Sequence, residues 1–111
     1  MNNCYYLLLD LKSDEQLIAE YEAHHQSVWP EIEKQILDSG VLCCEIFRFE
    51  NRLMMKLEVD KSFSFERKSE MDENSEAVQR WEALMDQYQQ RIGNNIAGKW
   101  RLMSKIYHLE A

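Results

Sequence analysis

The stretch VLCCEIFRFENRLMMKLEVD, residues 41–60, decides the fold. Two runs rich in aliphatic and aromatic residues, Val41–Phe49 and Arg52–Asp60, are separated only by Glu50 and Asn51. Such runs favour β-strands, and a two-residue separation leaves room only for a tight turn. The sequence therefore predicts a β-hairpin, although its turn lacks the Asn-Gly pair that indicates one most strongly.

The sequence before the hairpin predicts a strand followed by two helices. The apolar run Cys4–Leu11 reads as a buried strand, after which Ser13 or Asp14 can cap a helix. Pro30 is tolerated in a first helical turn, so a second helix is expected after a Ser27 cap, ending at Ser39-Gly40. Six residues recur at intervals of four and three, which places them on one helical side, facing the sheet. They are Leu17, Tyr21, His25, Val28, Ile32 and Ile36.

The sequence after the hairpin predicts two more helices and a last strand. The charged segment 62–74 favours a short helix, and Ser75 is suited to cap a longer one. Gln90–Lys99 reads as a loop, and Trp100–Leu109 as a strand. The apolar side of the longer helix carries Val78, Trp81, Leu84, Met85 and Tyr88.

The element order is strand, helices, strand, strand, helices, strand. This is the order of the ferredoxin-like split βαβ plan, an α+β fold with a four-stranded antiparallel sheet and helices on one face. The strands carry apolar residues on both faces, as at Leu7 and Leu8 or Leu53 and Met54. We therefore expect a second copy to cover the open face, giving a homodimer of the dimeric α+β barrel type.

Length and charge narrow the functional classes. A chain of 111 residues is expected to form one domain over residues 1–111. Its 13 basic and 20 acidic residues give a net charge of -7, which disfavours nucleic acid and anionic membrane surfaces as partners. The candidate partners that remain are small neutral molecules, cations or other proteins.

Cysteine usage and the amino terminus predict a cytoplasmic location. The three cysteines, Cys4, Cys43 and Cys44, are an odd number, and neighbours on one strand point to opposite faces. We expect them to be reduced thiols. The apolar start stops at Asp10 and lacks a basic leader, so it fits neither a signal peptide nor a membrane span.

The densest group of reactive side chains lies around residues 21–31. Helical spacing stacks Tyr21 above His25, where a phenol and an imidazole can address one ligand. The plainer interpretation of His25 is a hydrogen-bonded residue at the edge of the core. His24 and His108 are expected to face solvent, and Trp29-Pro30 to set the helix junction. We expect no metal site, because no His-x-x-x-His or Cys-x-x-Cys spacing occurs.

Trp81 has two interpretations. On an amphipathic helix it is a core aromatic residue. Alternatively, its ring face is a platform for the aliphatic face of a sugar, while carboxylates, phenols and amides bind the sugar hydroxyls.

These residues together resemble a known family. The run Tyr21-x3-His25-x3-Trp29-Pro30-Glu31, Gly40 before a hairpin, and Gln79-Arg80-Trp81-x3-Met85 are similar to the L-rhamnose mutarotases over nearly the whole chain. The resemblance implies a dimeric ferredoxin-like fold. It also implies an isomerase that interconverts the α and β anomers of a 6-deoxyhexose without metal or organic cofactor.

The resemblance also implies roles for individual residues. The family's proton-donating histidine falls on His25, its substrate-binding tyrosine on Tyr21 and the first of two sugar-binding tryptophans on Trp81. Glu82 stands where the second tryptophan is expected, and Cys44 where a ligand-contacting tyrosine is expected. These two departures leave L-rhamnose or L-fucose open as the substrate, since an added carboxylate could favour L-fucose.

Two other functions remain compatible with the predicted fold. Ferredoxin-like dimers include cofactor-independent monooxygenases, which need an aromatic substrate and consume oxygen, and binding modules with no chemistry. A binding module would leave the grouping of Tyr21, His25 and Trp29 unexplained.

Overall fold

The computed structural model of the chain describes residues 3–93 and 99–111. Of the predicted loop over Gln90–Lys99, residues 94–98 lie outside the described residues, and Gln90 belongs to a short strand instead. The helices and strands are, in chain order, β1 (Asn3–Leu11), α1 (Glu15–His25), α2 (Pro30–Asp38), β2 (Val41–Phe49), β3 (Arg52–Val59), α3 (Phe65–Glu73), α4 (Glu76–Asp86), β4 (Gln89–Gln90) and β5 (Arg101–Leu102).

The sheet is antiparallel, with β3 and β1 at its centre. Its order is β2-β3-β1-β4, and the short strand β5 also pairs with β1. Strand β4 pairs with Asp10 and Leu11, and β5 with Leu7 and Leu8, so the two share one edge of β1. The sheet therefore has four strand positions in the ferredoxin-like order, and the predicted fold class is confirmed.

The hairpin of β2 and β3 forms as predicted, with a turn built without glycine. Glu50 takes the positive φ of 52° that the tight turn requires, and Arg48 Nη1 donates to its carbonyl oxygen at 2.7 Å. A register shift between Val41 and Cys43 then places Cys44 opposite Leu57. Directly opposed residues share one face of the sheet, so Cys44 lies on the helix side with the buried Leu57.

Successive side chains along the strands point to opposite faces of the sheet, one covered by the helices and one open. Leu7, Leu9 and Leu11 of β1 are buried beneath the helices. On the open face, Phe47 remains 51% exposed and Phe49 77% exposed. The helix side therefore contains the core of this chain, while the other side of the sheet leaves large apolar side chains uncovered.

The predicted Ser27 cap is wrong. Trp29 is the residue that precedes α2, without a side-chain capping bond, and Pro30 occupies the first turn as expected. A residue before proline is pushed to extended geometry, and Trp29 has φ -58° and ψ 133°. The break between the helices is therefore fixed by the Trp29-Pro30 step, two residues after Ser27. The end of α2 is as predicted, with Gly40 at φ 103°.

The predicted last strand, Trp100–Leu109, is mostly wrong. Only Arg101–Leu102 are in strand conformation, and the Met103 amide makes one further bond to the Tyr6 carbonyl at 2.8 Å. Because Leu102 lies opposite Leu7 in an antiparallel pair, residues after 106 run past the start of β1 at Asn3. Apart from the Met103 amide, residues 103–111 pair with no strand in the described part of the chain, and an apolar segment becomes a strand only beside a partner edge.

Candidate active site

Helix α1 carries two side chains of the candidate site on one turn. Asp14 caps the helix by accepting from the Leu17 amide at 2.9 Å. One helical turn separates Tyr21 from His25, and their ring centroids lie 4.4 Å apart. The predicted stacking of the phenol and the imidazole is therefore present in the structure.

The hydrogen bond of His25 indicates that its ring nitrogen Nδ1 carries a proton. Nδ1 lies 3.0 Å from the backbone carbonyl oxygen of Tyr21. A carbonyl oxygen only accepts, so Nδ1 carries a proton, and in the neutral ring Nε2 holds the lone pair. The ring is half-buried and packs edge-on against Trp81, with centroids 5.6 Å apart. His25 is thus oriented with its basic nitrogen away from the helix backbone.

Burial keeps the Tyr21 hydroxyl protonated. The residue is 3% exposed, and desolvation raises its pKa to about 12. A hydrogen bond from the Gln89 side chain opposes this shift, whereas the negative charge of Glu82 and the Cys44 thiol add to it. At neutral pH the resting form of Tyr21 is therefore a neutral phenol, which is suited to donate a proton or a hydrogen bond.

Trp81 belongs to the hydrophobic core. It is 7% exposed and packs with Leu11, Leu53 and Met85. One side of its ring meets His25, and Trp29 meets it edge-on at a centroid distance of 5.1 Å. The core interpretation is therefore correct, and the sugar-platform role stays a prediction.

The remaining two predicted site residues, Glu82 and Cys44, both help to raise the pKa of Tyr21. Glu82 forms an ion pair with Lys99, and its side chain is 43% exposed. Cys44 is exposed as a residue, yet desolvation raises the pKa of its thiol, because the residue lies on the covered side of the sheet. Both residues influence the pKa of Tyr21, which places them in its surroundings.

A cavity of about 390 Å³ opens beside the Tyr21–His25 pair. This size falls within the range of small-molecule sites, roughly 300–1,000 Å³. It is lined by Tyr21, Glu22, His25, Gln26, Ile46, Arg48 and Leu53. Trp81, Glu82 and Cys44 are outside this lining, and Trp81 reaches the cavity only through its contact with His25.

A larger cavity, of about 580 Å³, lies at the start of α1 beside the hairpin turn. Its walls include Asp14, Glu15 and Glu50, and neither Tyr21 nor His25 reaches it. An ion pair between Arg48 and Glu22, with Nε 3.0 Å from Oε2, involves residues that line both cavities. The smaller cavity is the candidate site, because it holds the groups able to transfer protons.

The other two histidines lie outside this cavity. His24, which was predicted to face solvent, is half-buried, and its Nε2 lies 3.2 Å from the Tyr88 hydroxyl. Tyr88 donates onward to Glu20 at 3.2 Å. The prediction for His24 is wrong because Tyr88 follows α4 and extends to this side of α1. His108 is exposed, as predicted.

Sequence reasoning missed two polar side chains behind Tyr21. Lys99 was predicted at the end of a loop and Gln89 was given no role, yet Lys99 Nζ donates to Gln89 Oε1 at 2.8 Å. The polar pair Gln89-Gln90 after an amphipathic helix gives no signal of burial in the sequence.

In the part of the chain that the structure describes, no group of three or more His, Cys, Asp or Glu side chains is arranged to hold a metal ion. Among the same residues, no helix is long and apolar enough to cross a membrane.

Comparison with known proteins places this chain in a family. The family model of L-rhamnose mutarotase matches residues 4–109. An L-fucose mutarotase of Xanthomonas campestris pv. campestris is 37% identical over 109 residues, covering 96% of this chain and 86% of that protein.

Solved structures give the same fold. An L-rhamnose mutarotase of Formosa agariphila has a TM-score of 0.71 at 20% identity, covering 97% of this chain and 99% of the other. Tetracenomycin F2 cyclase of Streptomyces glaucescens has a TM-score of 0.62 at 19% identity, covering 98% of each chain. A dimeric ferredoxin-like protein from an uncultured marine organism has a TM-score of 0.54 at 13% identity, covering 96% of this chain and 91% of the other.

Fold, site and family match together define the class of this protein. It is an aldose mutarotase, an isomerase that acts on the anomeric carbon of a sugar. Within that class, the chain belongs to the L-rhamnose mutarotase family.

Proposed function

We propose that the chain interconverts the α and β anomers of a 6-deoxyhexose, with Tyr21 as the acid and His25 as the base. The observation that carries the proposal is the geometry of the pair, with the Tyr21 and His25 rings 4.4 Å apart beside the cavity. His25 Nδ1 donates to a backbone carbonyl, which leaves Nε2 as a base, and burial keeps Tyr21 as an acid.

The reaction needs only these two groups. His25 Nε2 accepts the proton of the anomeric hydroxyl, the C1–O5 bond breaks as C1 becomes an aldehyde carbon, and O5 takes a proton from Tyr21. Rotation about the C1–C2 bond presents the other face of the aldehyde. The reverse transfers then close the ring, returning both protons, so no covalent intermediate or net redox change is involved.

We assign the remaining predicted residues to substrate binding. Trp81 would pack on the apolar face of the sugar, Glu82 would accept from a hydroxyl, and Cys44 would lie against the ring. The open position of the Glu82 side chain, 43% exposed, supports its role.

We further propose that L-fucose is preferred over L-rhamnose. The two sugars share the 6-methyl group and ring size but differ in the pattern of axial and equatorial hydroxyls. A carboxylate at position 82 accepts hydrogen bonds from sugar hydroxyls, so it favours the sugar whose hydroxyl pattern directs a donor toward it. The 37% identity to an L-fucose mutarotase supports the same assignment.

Saturation-transfer NMR tests this function directly. Exchange between the two anomeric protons is measured for L-fucose and L-rhamnose at equal concentration, with and without protein. We expect accelerated exchange for both sugars, faster for L-fucose by about tenfold or more. Faster exchange for L-rhamnose would overturn the sugar assignment, and no acceleration for either would overturn the proposed reaction.

We propose that the protein is a homodimer formed through the open face of the sheet. Tyr6, Phe47 and Phe49 are exposed on this face, and the extended segment after Met103 leaves Ile106 95% exposed. Contiguous apolar surface of this kind is characteristic of protein interfaces. The fold neighbour described as a dimeric ferredoxin-like protein also supports the proposal.

Light scattering after size exclusion tests the dimer. The wild-type protein should have twice the 13.3 kDa mass of one chain. Phe47→Glu, which places a charge on the open face, should give a monomer. Leu37→Glu is the matched control, since Leu37 is 61% exposed on α2, away from that face, and should leave the dimer intact. A wild-type monomer would contradict the proposal.

We place the reaction in the cytoplasm. The three cysteines are free thiols, with none in a disulfide, and reduced cysteines are typical of that compartment.

A further inference from the structure

An ion pair lies where the two cavities meet. Arg48 and Glu22 line both cavities. Arg48 stands directly opposite the buried Leu53 in the hairpin, so its side chain leaves the sheet on the helix side. There it meets Glu22 of α1, with Nε 3.0 Å from Oε2 and Nη2 3.4 Å from Oε1. The pair therefore bridges β2 and α1 at the end of the smaller cavity that adjoins the larger one.

The hairpin turn holds the Arg48 guanidinium at a second point. Nη1 donates to the carbonyl oxygen of Glu50 at 2.7 Å. A guanidinium has five N–H donors, and the contacts with Glu22 and Glu50 use three of them. Within residues 3–93 and 99–111, the other two, one on Nη1 and one on Nη2, make no hydrogen bond. Arg48 is thus fixed from two sides and keeps two donors for a ligand.

The exposure of the pair shows that folding gains little from it. The Arg48 side chain is 34% exposed and that of Glu22 51% exposed. Ion pairs that solvent reaches to this extent contribute little to stability. The main effect of the pair is therefore to hold a donor and an acceptor side by side in the cavity wall.

The polar lining of the smaller cavity divides into two ends. In the proposed reaction, C1 and O5 of the sugar lie at Tyr21 and His25. His25 is the last residue of α1 and does not reach the larger cavity, whereas Glu22 and Arg48 line both cavities. C4 is the carbon opposite C1 in a pyranose ring, so a sugar with C1 at His25 directs its 4-hydroxyl toward the ion pair.

We propose that the Arg48–Glu22 ion pair binds the 4-hydroxyl of the 6-deoxyhexose and is a specificity-determining contact of the site. The inference rests on the proposed function, which sets C1 at His25. A hydroxyl both donates and accepts, so it can accept from a remaining N–H of Arg48 and donate to the Glu22 carboxylate. L-Fucose and L-rhamnose have opposite configurations at C4, which makes this hydroxyl axial in one sugar and equatorial in the other. A pair fixed in place binds one of these orientations better.

Arg48→Met tests the contact by removing all five donors while keeping most of the apolar stem. We expect KM for L-fucose to rise about 10-fold to 100-fold with kcat within about threefold of wild type, because the 4-hydroxyl lies away from the reacting atoms. The preference for L-fucose over L-rhamnose should shrink as well. Unchanged KM and unchanged preference in this variant would overturn the proposal.

Arg52→Met is the matched control. Arg52 forms a similar two-point pair with Asp10, with Nε 2.7 Å from Oδ1 and Nη2 3.1 Å from Oδ2, but it lines neither cavity. Its KM and sugar preference should equal those of the wild type. A rise in KM as large as that of Arg48→Met would show that losing any surface ion pair has this effect, and the role of Arg48 would be withdrawn.

Deoxygenated sugars identify the hydroxyl that the pair binds and use the wild-type protein as one arm. Dissociation constants are measured by NMR titration for methyl α-L-fucoside and for its 2-deoxy and 4-deoxy analogues. Wild-type protein should bind the 4-deoxy analogue about 10-fold or more weakly. Arg48→Met should weaken binding of the parent and 2-deoxy glycosides but not of the 4-deoxy glycoside, since the partner hydroxyl is already missing. Equal binding of the parent and 4-deoxy glycosides by the wild type would overturn the proposal, even if Arg48→Met folds poorly.

The same glycosides distinguish this inference from the proposed reaction. A methyl glycoside cannot open its ring, so its dissociation constant reports binding without chemistry. Binding that depends on Arg48 and the 4-hydroxyl, without exchange of L-fucose in the wild type, would overturn the proposed reaction and leave the ion pair as a sugar-binding group. Exchange in the wild type, with KM and glycoside binding unchanged in Arg48→Met, would overturn the role of the pair and leave the reaction standing.

Discussion

Replacing His25 with Asn should slow anomer exchange by about 10²-fold to 10⁴-fold, the range that positioned proton transfer contributes. The Asn amide nitrogen occupies nearly the place of Nδ1, so the bond to the Tyr21 carbonyl at 3.0 Å can be retained. What is lost is Nε2, the only nitrogen of this ring able to accept a proton from the sugar. Saturation-transfer NMR on L-fucose gives the rate, and urea unfolding should show a change of less than about 1 kcal/mol in the free energy of unfolding.

His24→Asn is the matched control for this variant. His24 is adjacent in the chain and half-buried like His25, but its ring contacts Tyr88 rather than the cavity. Its exchange rate should stay within about threefold of wild type, because the group lost contacts neither the cavity nor the Tyr21–His25 pair. Equal losses in the two variants would show that the effect comes from disturbing α1, and the assignment of His25 as base would be withdrawn.

The helices and strands were predictable where local patterns determine them. Asp14, Ser75 and Gly40 end or begin helices through bonds and backbone angles that depend on neighbouring residues only. The hairpin formed without an Asn-Gly turn because two apolar strands in register outweigh the cost of a positive φ at Glu50. Trp100–Leu109 has an apolar pattern too, but a strand needs a partner edge, which no local pattern supplies.

The candidate site was predictable where it lies on one helix. Tyr21 and His25 are brought together by helical spacing alone, so their distance follows from the sequence. Gln89 and Lys99 are separated along the chain and meet through tertiary packing, with Lys99 Nζ 2.8 Å from Gln89 Oε1. Their contribution depends on tertiary packing, which composition and periodicity do not encode. The bulge after Val41, which turns Cys44 toward the helices, is similarly invisible in the sequence.

The burial of Trp81 creates a conflict between its place in the core and its proposed contact with sugar. A ring that is 7% exposed can offer a ligand only a small part of its surface. Substitution of Trp81 should therefore affect both stability and substrate binding, and variants of different size are needed to separate the two effects.

Trp81→Ala should lower the free energy of unfolding by about 3–5 kcal/mol, because it removes a large ring from the centre of the packed core. Since domains are stable by only about 5–15 kcal/mol, this variant should be at the limit of folding. Trp81→Phe keeps a ring against His25 and should fold, so that binding can be measured. If the indole binds sugar, KM for L-fucose should rise with kcat little changed. The lost contact would have bound the ground state and the transition state of the sugar equally.

Trp29→Phe is the matched comparison, because Trp29 packs edge-on against Trp81 at 5.1 Å but makes no ring contact with His25 in the described structure. Both Phe variants lose the same part of an indole from the same cluster, so their losses of stability measured by urea unfolding should be comparable. Only Trp81→Phe should raise KM, because only that ring adjoins the histidine of the cavity. An unchanged KM in Trp81→Phe would mean that Trp81 is only a core residue and does not bind sugar. The sugar would then be bound by polar groups around Tyr21.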